Sequence, residues 1–379
     1  MPVISKALIV GGGIGGLTAA IALRRAGIDA DLIEIQPQLR VYGVGIIQPN
    51  NTLRALNRIG LARACIEHGG PFPGWRVFDG AGNAIMAAPA TTAAAPDLPP
   101  INGITRPLLH KVLTEAARSA DVAIRTGVCV RSMTEIGEAV QVEFSDGSSG
   151  PYDLVIGSDG LHSSLRAMLF GPHLKPSFTG QGVWRHNFRR PARVEWGELH
   201  FGRDSKVGLV PMSPDLMYMF VVTAEPGNPR LPADELAELM RARLRGYTGF
   251  IAELRERITD PAEVVYRPME SLLLPSPWWK GRAILIGDAA HATTPHLGQG
   301  AAMAIEDAVL LAELLSSRDS LEGALREFME RRFNRVKLVV ESSLQIGAWE
   351  LEQFAGIHNP NARPGELVNE TTLAMMADY

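Results

Sequence analysis

The chain has 379 residues, of which 46% are hydrophobic and 21% charged, and a net charge of −4 at pH 7. That balance fits a sizeable core in two closely packed lobes and excludes a largely disordered chain; it offers no basic stripe for nucleic acid and no footprint for an anionic membrane surface. The only cysteines, Cys65 and Cys129, lie far apart without a histidine cluster, so neither a disulfide framework nor a metal site is indicated, and no run of about 18 apolar residues reads as a membrane span. A reducing cytoplasm is the expected compartment, and small molecules are the expected partners, without nucleic acid or membrane insertion.

In chain order, "KALIVGGGIGGLTAAIALRRAGIDADLIE" predicts strand, glycine turn, helix and second strand, with Gly27 closing the helix. "NNTLRALNRIGL" and "PLLHKVLTEAARSA" predict amphipathic helices, and the Ala/Pro-rich segment 87–100 between them predicts a loop. Residues 122–158 read as short strands, closed by "DLVIGSDG". The stretch 183–222 has hairpin spacing, 233–258 is helical, 263–274 extended and 284–288 a buried strand before a helix over 299–316. These pieces predict an α/β fold, with a discontinuous nucleotide-binding lobe (1–175 and 277–345) and an inserted, mostly antiparallel sheet (176–276). The segment 346–379 has no assigned role.

Gly11, Gly13 and Gly16 form GxGxxG between the first strand and the helix, and Glu34 ends the second strand. The first glycine permits the tight turn, the second admits a pyrophosphate to the helix N-terminus, and the third lets helix and strand pack closely. The acid can accept from ribose hydroxyls. This pattern predicts a dinucleotide but does not choose between NAD and FAD. A second motif, "ILIGDAAHATTPHLGQG" over 284–300, leaves a buried strand, places Asp288 at its end and continues through small residues to Gly298 and Gly300.

Three spaced motifs carry a family resemblance: GxGxxG at 11–16, the Asp-Gly pair at 159 in "DLVIGSDGLHSSLR", and the Gly-Asp pair at 287 followed by Pro295 and "GQG". Together with "GVGIIQPNNTLRALNRIGL" at 43–61, they resemble the single-component FAD-dependent aromatic hydroxylases of the para-hydroxybenzoate hydroxylase type, over about residues 5–335. The resemblance implies a Rossmann-like FAD-binding lobe of the GR2 type. It implies hydroxylation of a phenol- or hydroxypyridine-like ring with NADH or NADPH and O2, through a flavin C4a-hydroperoxide. A non-hydroxylating FAD-dependent reductase or dehydrogenase acting on a hydrophobic small molecule shares the same motifs.

Carried over residue by residue, the resemblance places Asp288 on the ribityl chain, Arg106 on the diphosphate and Asp159 at a site shared by FAD and NAD(P)H. Gly45 and Val130 join the cofactor residues, and Gly298 and Gly300 set a helix N-terminus beside the reduced ring. Pro295 is expected beside the reaction centre. Tyr218 and His186 are the candidate bases, and Trp184, Phe220 and His296 are candidate substrate contacts. Arg326, Arg331, Arg332, Arg335 and Lys337 read as a solvated helix face ahead of the other reading, a patch that attracts a nicotinamide dinucleotide phosphate. The assembly expected is a monomer or homodimer.

Overall fold

The computed structural model describes residues 2–39 and 43–379. Its first unit is built on Lys6–Val10, whose last four residues are buried, as befits a parallel strand covered on both faces. That strand lies between Asp29–Glu34 and Leu154–Gly157, parallel to both. Ala123–Thr126 and Ala283–Leu285 extend the sheet in parallel, and Trp279–Lys280 adds an antiparallel edge. All five parallel strands therefore deliver their carboxyl ends to one rim, where open α/β sheets bind ligands. The helix Ile14–Arg25 is sandwiched between this sheet and the helix Gly300–Ser317, which explains why Gly15 through Leu23 are all buried.

A second sheet of eight strands runs in the order His291–Ala292, Val265–Leu273, Ser177–Arg189, Leu216–Ala224, Ser205–Pro211, Gly197–Phe201, Gly74–Asp79, Ala84–Pro89. Its pairings are antiparallel except where Gly197–Phe201 runs parallel to Gly74–Asp79. Side chains alternate between its two faces. One face packs Trp184, Phe188, Leu209 and Met219 against Met240 and Ile251 of the helices Leu236–Arg243 and Gly249–Glu256. The other turns toward the first unit, and a small sheet of Gly45–Pro49, Gly70–Phe72 and Ile101–Thr105 covers part of it.

Several expectations change. Residues 74–89 form a hairpin on the edge of the second sheet, so the inserted sheet also recruits chain from within 1–175. The segment 87–100 is a loop only after Pro89; alanines there occupy an edge strand despite their low β-propensity. The helical stretch 233–258 is two helices broken at 244–248. The boundary at 346 falls inside one 34-residue helix, Leu321–Phe354, after which Pro364–Met376 folds back against it.

Candidate active site

At the rim of the first sheet the glycines divide by role. Gly11 has φ +110°, and a Cβ there would stand 2.4 Å from the Ser158 carbonyl oxygen; one at Gly16 would stand 1.9 Å from that of Gly11. These two are needed for the turn itself. A Cβ at Gly13 meets nothing within 4 Å, so this glycine opens the helix N-terminus to the cleft. Glu34 accepts the N–H groups of Gly12 and Gln36, both at 2.8 Å, which fixes the carboxylate at the rim and leaves acceptor capacity for hydroxyls.

Asp159 is more committed to the protein. Its carboxylate accepts from the Ser163 hydroxyl, from Ser164 Oγ at 3.2 Å and from the Leu165 N–H at 3.0 Å, closing the turn into the helix Ser164–Phe170. Val130 begins a strand opposite Phe144 and is buried; the chain touches the Glu34 end two residues earlier, where the Val128 N–H donates to the Glu34 carbonyl at 3.0 Å.

Asp288 occupies the turn Gly287–Ala289 beyond the strand Ala283–Leu285. Its side chain is open to the cleft yet walled by protein. That burial raises its carboxyl pKa, against the opposing charges of His291 and Arg106. Among the described residues neither Asp288 nor the guanidinium of Arg106, at the start of the helix Arg106–Ser119, has a hydrogen-bond or ion-pair partner within the chain. An unpaired carboxylate and an unpaired guanidinium on one cleft, below an open helix N-terminus, suit a group with a hydroxylated chain and a diphosphate; FAD has both.

The turn carrying Asp288 is held from behind by residues that the motif reading missed. Asp307 accepts the Gly287 N–H at 3.0 Å, His291 Nε2 at 2.5 Å and Arg332 Nε at 2.7 Å. Beside it, Glu306 accepts from Arg332 at 2.6 Å, from Arg335 at 2.8 and 2.9 Å and from Asn51 at 3.0 Å. Arg332 is fully buried, so the basic cluster is not a uniformly solvated helix face. Two acids in succession on the helix Gly300–Ser317, facing arginines three apart on the next helix, supply the need for such pairing.

The second sheet divides the candidate substrate residues. Tyr218 and Phe220 point toward the first unit, with Tyr218 packed among Val44, Phe72 and Met212. Gly45 is a glycine for space: a Cβ there would stand 2.4 Å from the Tyr218 ring and 2.5 Å from Met212 Cε. The Tyr42 that precedes this glycine segment lies outside the described residues. Trp184 and His186 point the other way. Trp184 is fully buried with its indole N–H on Thr223 at 3.0 Å, and His186 packs on Phe188, 3.3 Å from Glu263. The parity of the strand puts both outside the cleft.

Pro295 is exposed at the turn Pro295–Leu297, and Gly298 follows in the left-handed region at φ +65°. Gly300 then opens a helix without a side-chain cap, because Gln299 pairs with Asn51 instead. His296 turns its ring toward the long helix: Nδ1 is 2.8 Å from Thr294 Oγ1 and Nε2 is 3.1 Å from Glu350. Arg185, which none of the motifs single out, pairs across the sheet with Phe220 and shares its face. Burial and the charges of Arg106 and Arg267 lower its pKa to about 10, partly offset by Tyr218, and it has no partner among the described residues.

The family model described as FAD binding domain matches residues 5–343. The chain belongs to this family. It is 33% identical over 341 residues to the putative FAD-dependent monooxygenase YetM of Bacillus subtilis, covering 89% of this chain and 92% of that one. It is 32% identical to the 2-heptyl-3-hydroxy-4(1H)-quinolone synthase of Pseudomonas aeruginosa, over 94% and 93% of the two chains. Among solved structures, Klebsiella pneumoniae HpxO complexed with FAD and uric acid superposes with a TM-score of 0.85 at 26% identity, covering 98% of this chain and 97% of the other. The protein is a flavoprotein monooxygenase of the aromatic hydroxylase type, with FAD as its cofactor. No helix among its described residues is long and apolar enough to cross a membrane.

Proposed function

We propose that this flavoprotein hydroxylates a heteroaromatic ring carrying an acidic hydroxyl, bound between the rim at Asp288 and the sheet face of Arg185, Tyr218 and Phe220. The observation that carries this reading is the unpaired Arg185 beside Tyr218 on the face turned toward the cofactor unit. FAD, once reduced by NADH or NADPH, supplies the chemistry that moves one oxygen atom of O2 to carbon. Asp288, Glu34, Arg106 and the Gly13 helix end would hold it.

The chain's own part is positioning and electrostatics. Burial raises the Tyr218 pKa against the opposing influence of Arg185 and Arg106, so Tyr218 is a neutral hydrogen-bond donor at neutral pH and not a base. With a pKa near 10, Arg185 keeps its proton. A ring hydroxyl placed against a guanidinium and a phenol O–H is stabilised as its anion, so the field of the cleft does the work otherwise asked of a general base. The anion enriches the ring carbons in electron density, and Phe220 with Val210 and Met212 keeps water from that face. Relatives named for quinolone and urate chemistry support a heteroaromatic ring with an ionisable oxygen.

The test is a screen of phenols, hydroxypyridines and hydroxyquinolines for ligand-stimulated NAD(P)H oxidation, with product masses checked for one added oxygen. Neutral rings lacking the hydroxyl should stimulate little; equal turnover of ring ethers and ring alcohols would contradict the role given to Arg185.

A further inference from the structure

Gly208 stands in the middle of the strand Ser205–Pro211, every residue of which is buried. A glycine inside a strand weakens it and marks a bulge, a bend or the close approach of another group. The group here is Phe220. Gly208 pairs with Phe220 on one side of the strand Leu216–Ala224, and Arg185 pairs with Phe220 on the other. The three therefore lie in one row on the face turned toward the cofactor unit, with the ring between the glycine and the arginine.

A Cβ at Gly208 would stand 2.1 Å from both Cε1 and Cζ of Phe220 and 2.8 Å from Cε2. These are the outer atoms of the ring, so the side chain leans over the Gly208 backbone and away from Arg185. Gly208 is not among the glycines with positive φ, so space and not backbone conformation excludes a side chain there. Phe220 keeps part of its surface open, and Tyr218 follows it on the same face with ring centroids 6.0 Å apart. From Arg185 to Gly208 the row covers two strand spacings, about 10 Å, a floor wide enough for two fused rings. A methyl group at 208 would leave Phe220 only the rotamers that stand off the sheet or lean toward Arg185. Either one takes up the space over Arg185 and Tyr218.

We propose that Gly208 is a specificity-determining residue: by letting Phe220 lie over the next strand it opens the floor beside Arg185 to a fused two-ring heterocycle, and a side chain at 208 restricts the site to a single ring. This inference rests on the reading of the Arg185 face as the ring site, and it adds the ring class and the residue that sets it.

Calorimetric titration of the FAD-loaded protein with 3-hydroxypyridine and 3-hydroxyquinoline tests this, because the two share the hydroxyl and the ring nitrogen and differ by one fused ring. The parent should bind 3-hydroxyquinoline at least about tenfold more tightly than 3-hydroxypyridine. In Gly208→Ala that preference should fall by at least about tenfold, while 3-hydroxypyridine affinity stays within about threefold of the parent. In the double variant Gly208→Ala/Phe220→Ala the preference should equal that of Phe220→Ala alone, since the displaced ring is the obstruction; this comparison decides the matter even where Gly208→Ala alone does not fold. Equal weakening of both ligands in Gly208→Ala, an unchanged preference, a parent that prefers the single ring, or a double variant that still discriminates against two rings relative to Phe220→Ala overturns the proposal and leaves the ring site standing. Failure of both ligands to bind the parent overturns the reading of the Arg185 face itself, and this inference with it.

Discussion

Asp288 and Arg106 bring opposite charges to one cleft, and among the described residues neither has a side-chain partner. Asp288→Ala should weaken FAD retention by about 1–3 kcal/mol, measured by flavin release, while the apoprotein keeps its melting temperature, because no internal bond is lost. Arg185 makes the complementary case on the substrate side. Its pKa is pushed down to about 10, so the folded state disfavours the charged form relative to the unfolded chain, a penalty that is full below about pH 10 and fades only between there and the ordinary value of 12.5. Arg185→Met should therefore raise the melting temperature of the apoprotein, by on the order of 1 kcal/mol, and yet weaken binding of ionised ring ligands by about 1.5–3 kcal/mol. Asp288 was legible in the sequence because a backbone motif surrounds it. Arg185 was not, since an arginine between apolar strand residues reads equally as a solvent-facing position.

Strand parity divides the candidate substrate residues between the two faces of the second sheet. In "GVWRHNF" the apolar side, with Trp184 and Phe188, packs on helices, and the side with Arg185 turns to the cleft. An expectation that aromatic residues line a ring-binding site selects the helix-packed face here, opposite to the face of the proposed site, and nothing local in the strand distinguishes the two. His186→Ala should thus cost about 1–3 kcal/mol in stability, as a core truncation, while ligand-stimulated NAD(P)H oxidation per folded molecule stays at the parental level. Helix pairing was hidden for a related reason: Arg332 meets Glu306 and Asp307 only once two helices distant in sequence are packed together. Arg332→Met should destabilise the fold by about 3–5 kcal/mol, leaving two buried carboxylates short of a partner, and should loosen FAD through the Gly287 turn. Burial raises the Asp307 pKa, but His291 and Arg332 outweigh it and bring the carboxyl to about 2. The stabilisation from Asp307 is then complete above the ordinary carboxylate value of 3.8 and is lost as pH falls toward about 2. Acid unfolding followed by circular dichroism should show a stability loss in that window, one that Asp307→Asn removes.

At the scale of the molecule, the order of motifs was enough to anticipate a nucleotide-binding sheet assembled from separated segments, because each segment carries its own glycine turn at a strand end. The limits of the second sheet were not anticipated: its edge hairpin at 74–89 comes from chain that precedes most of the first sheet, and its pairing is non-local. The long helix Leu321–Phe354 packs on the helix Gly300–Ser317 of the first unit and on strands of the second, so one rigid element spans both walls of the cleft. Its Glu350 joins Lys206 of the sheet to His296 of the cofactor-side loop. In the proposed function this cleft holds FAD on one wall and an ionised ring on the other, so that oxygen is transferred to the ring and not released as peroxide. The most direct measurement is turnover of a stimulating hydroxylated heterocycle with NAD(P)H under isotopically labelled O2, with product mass and H2O2 determined together. The predicted result is one labelled oxygen atom in the product, with peroxide low in the parent and elevated in Arg185→Met. Rapid NAD(P)H oxidation that yields only H2O2 or a reduced, unlabelled product from every such ring would contradict the account.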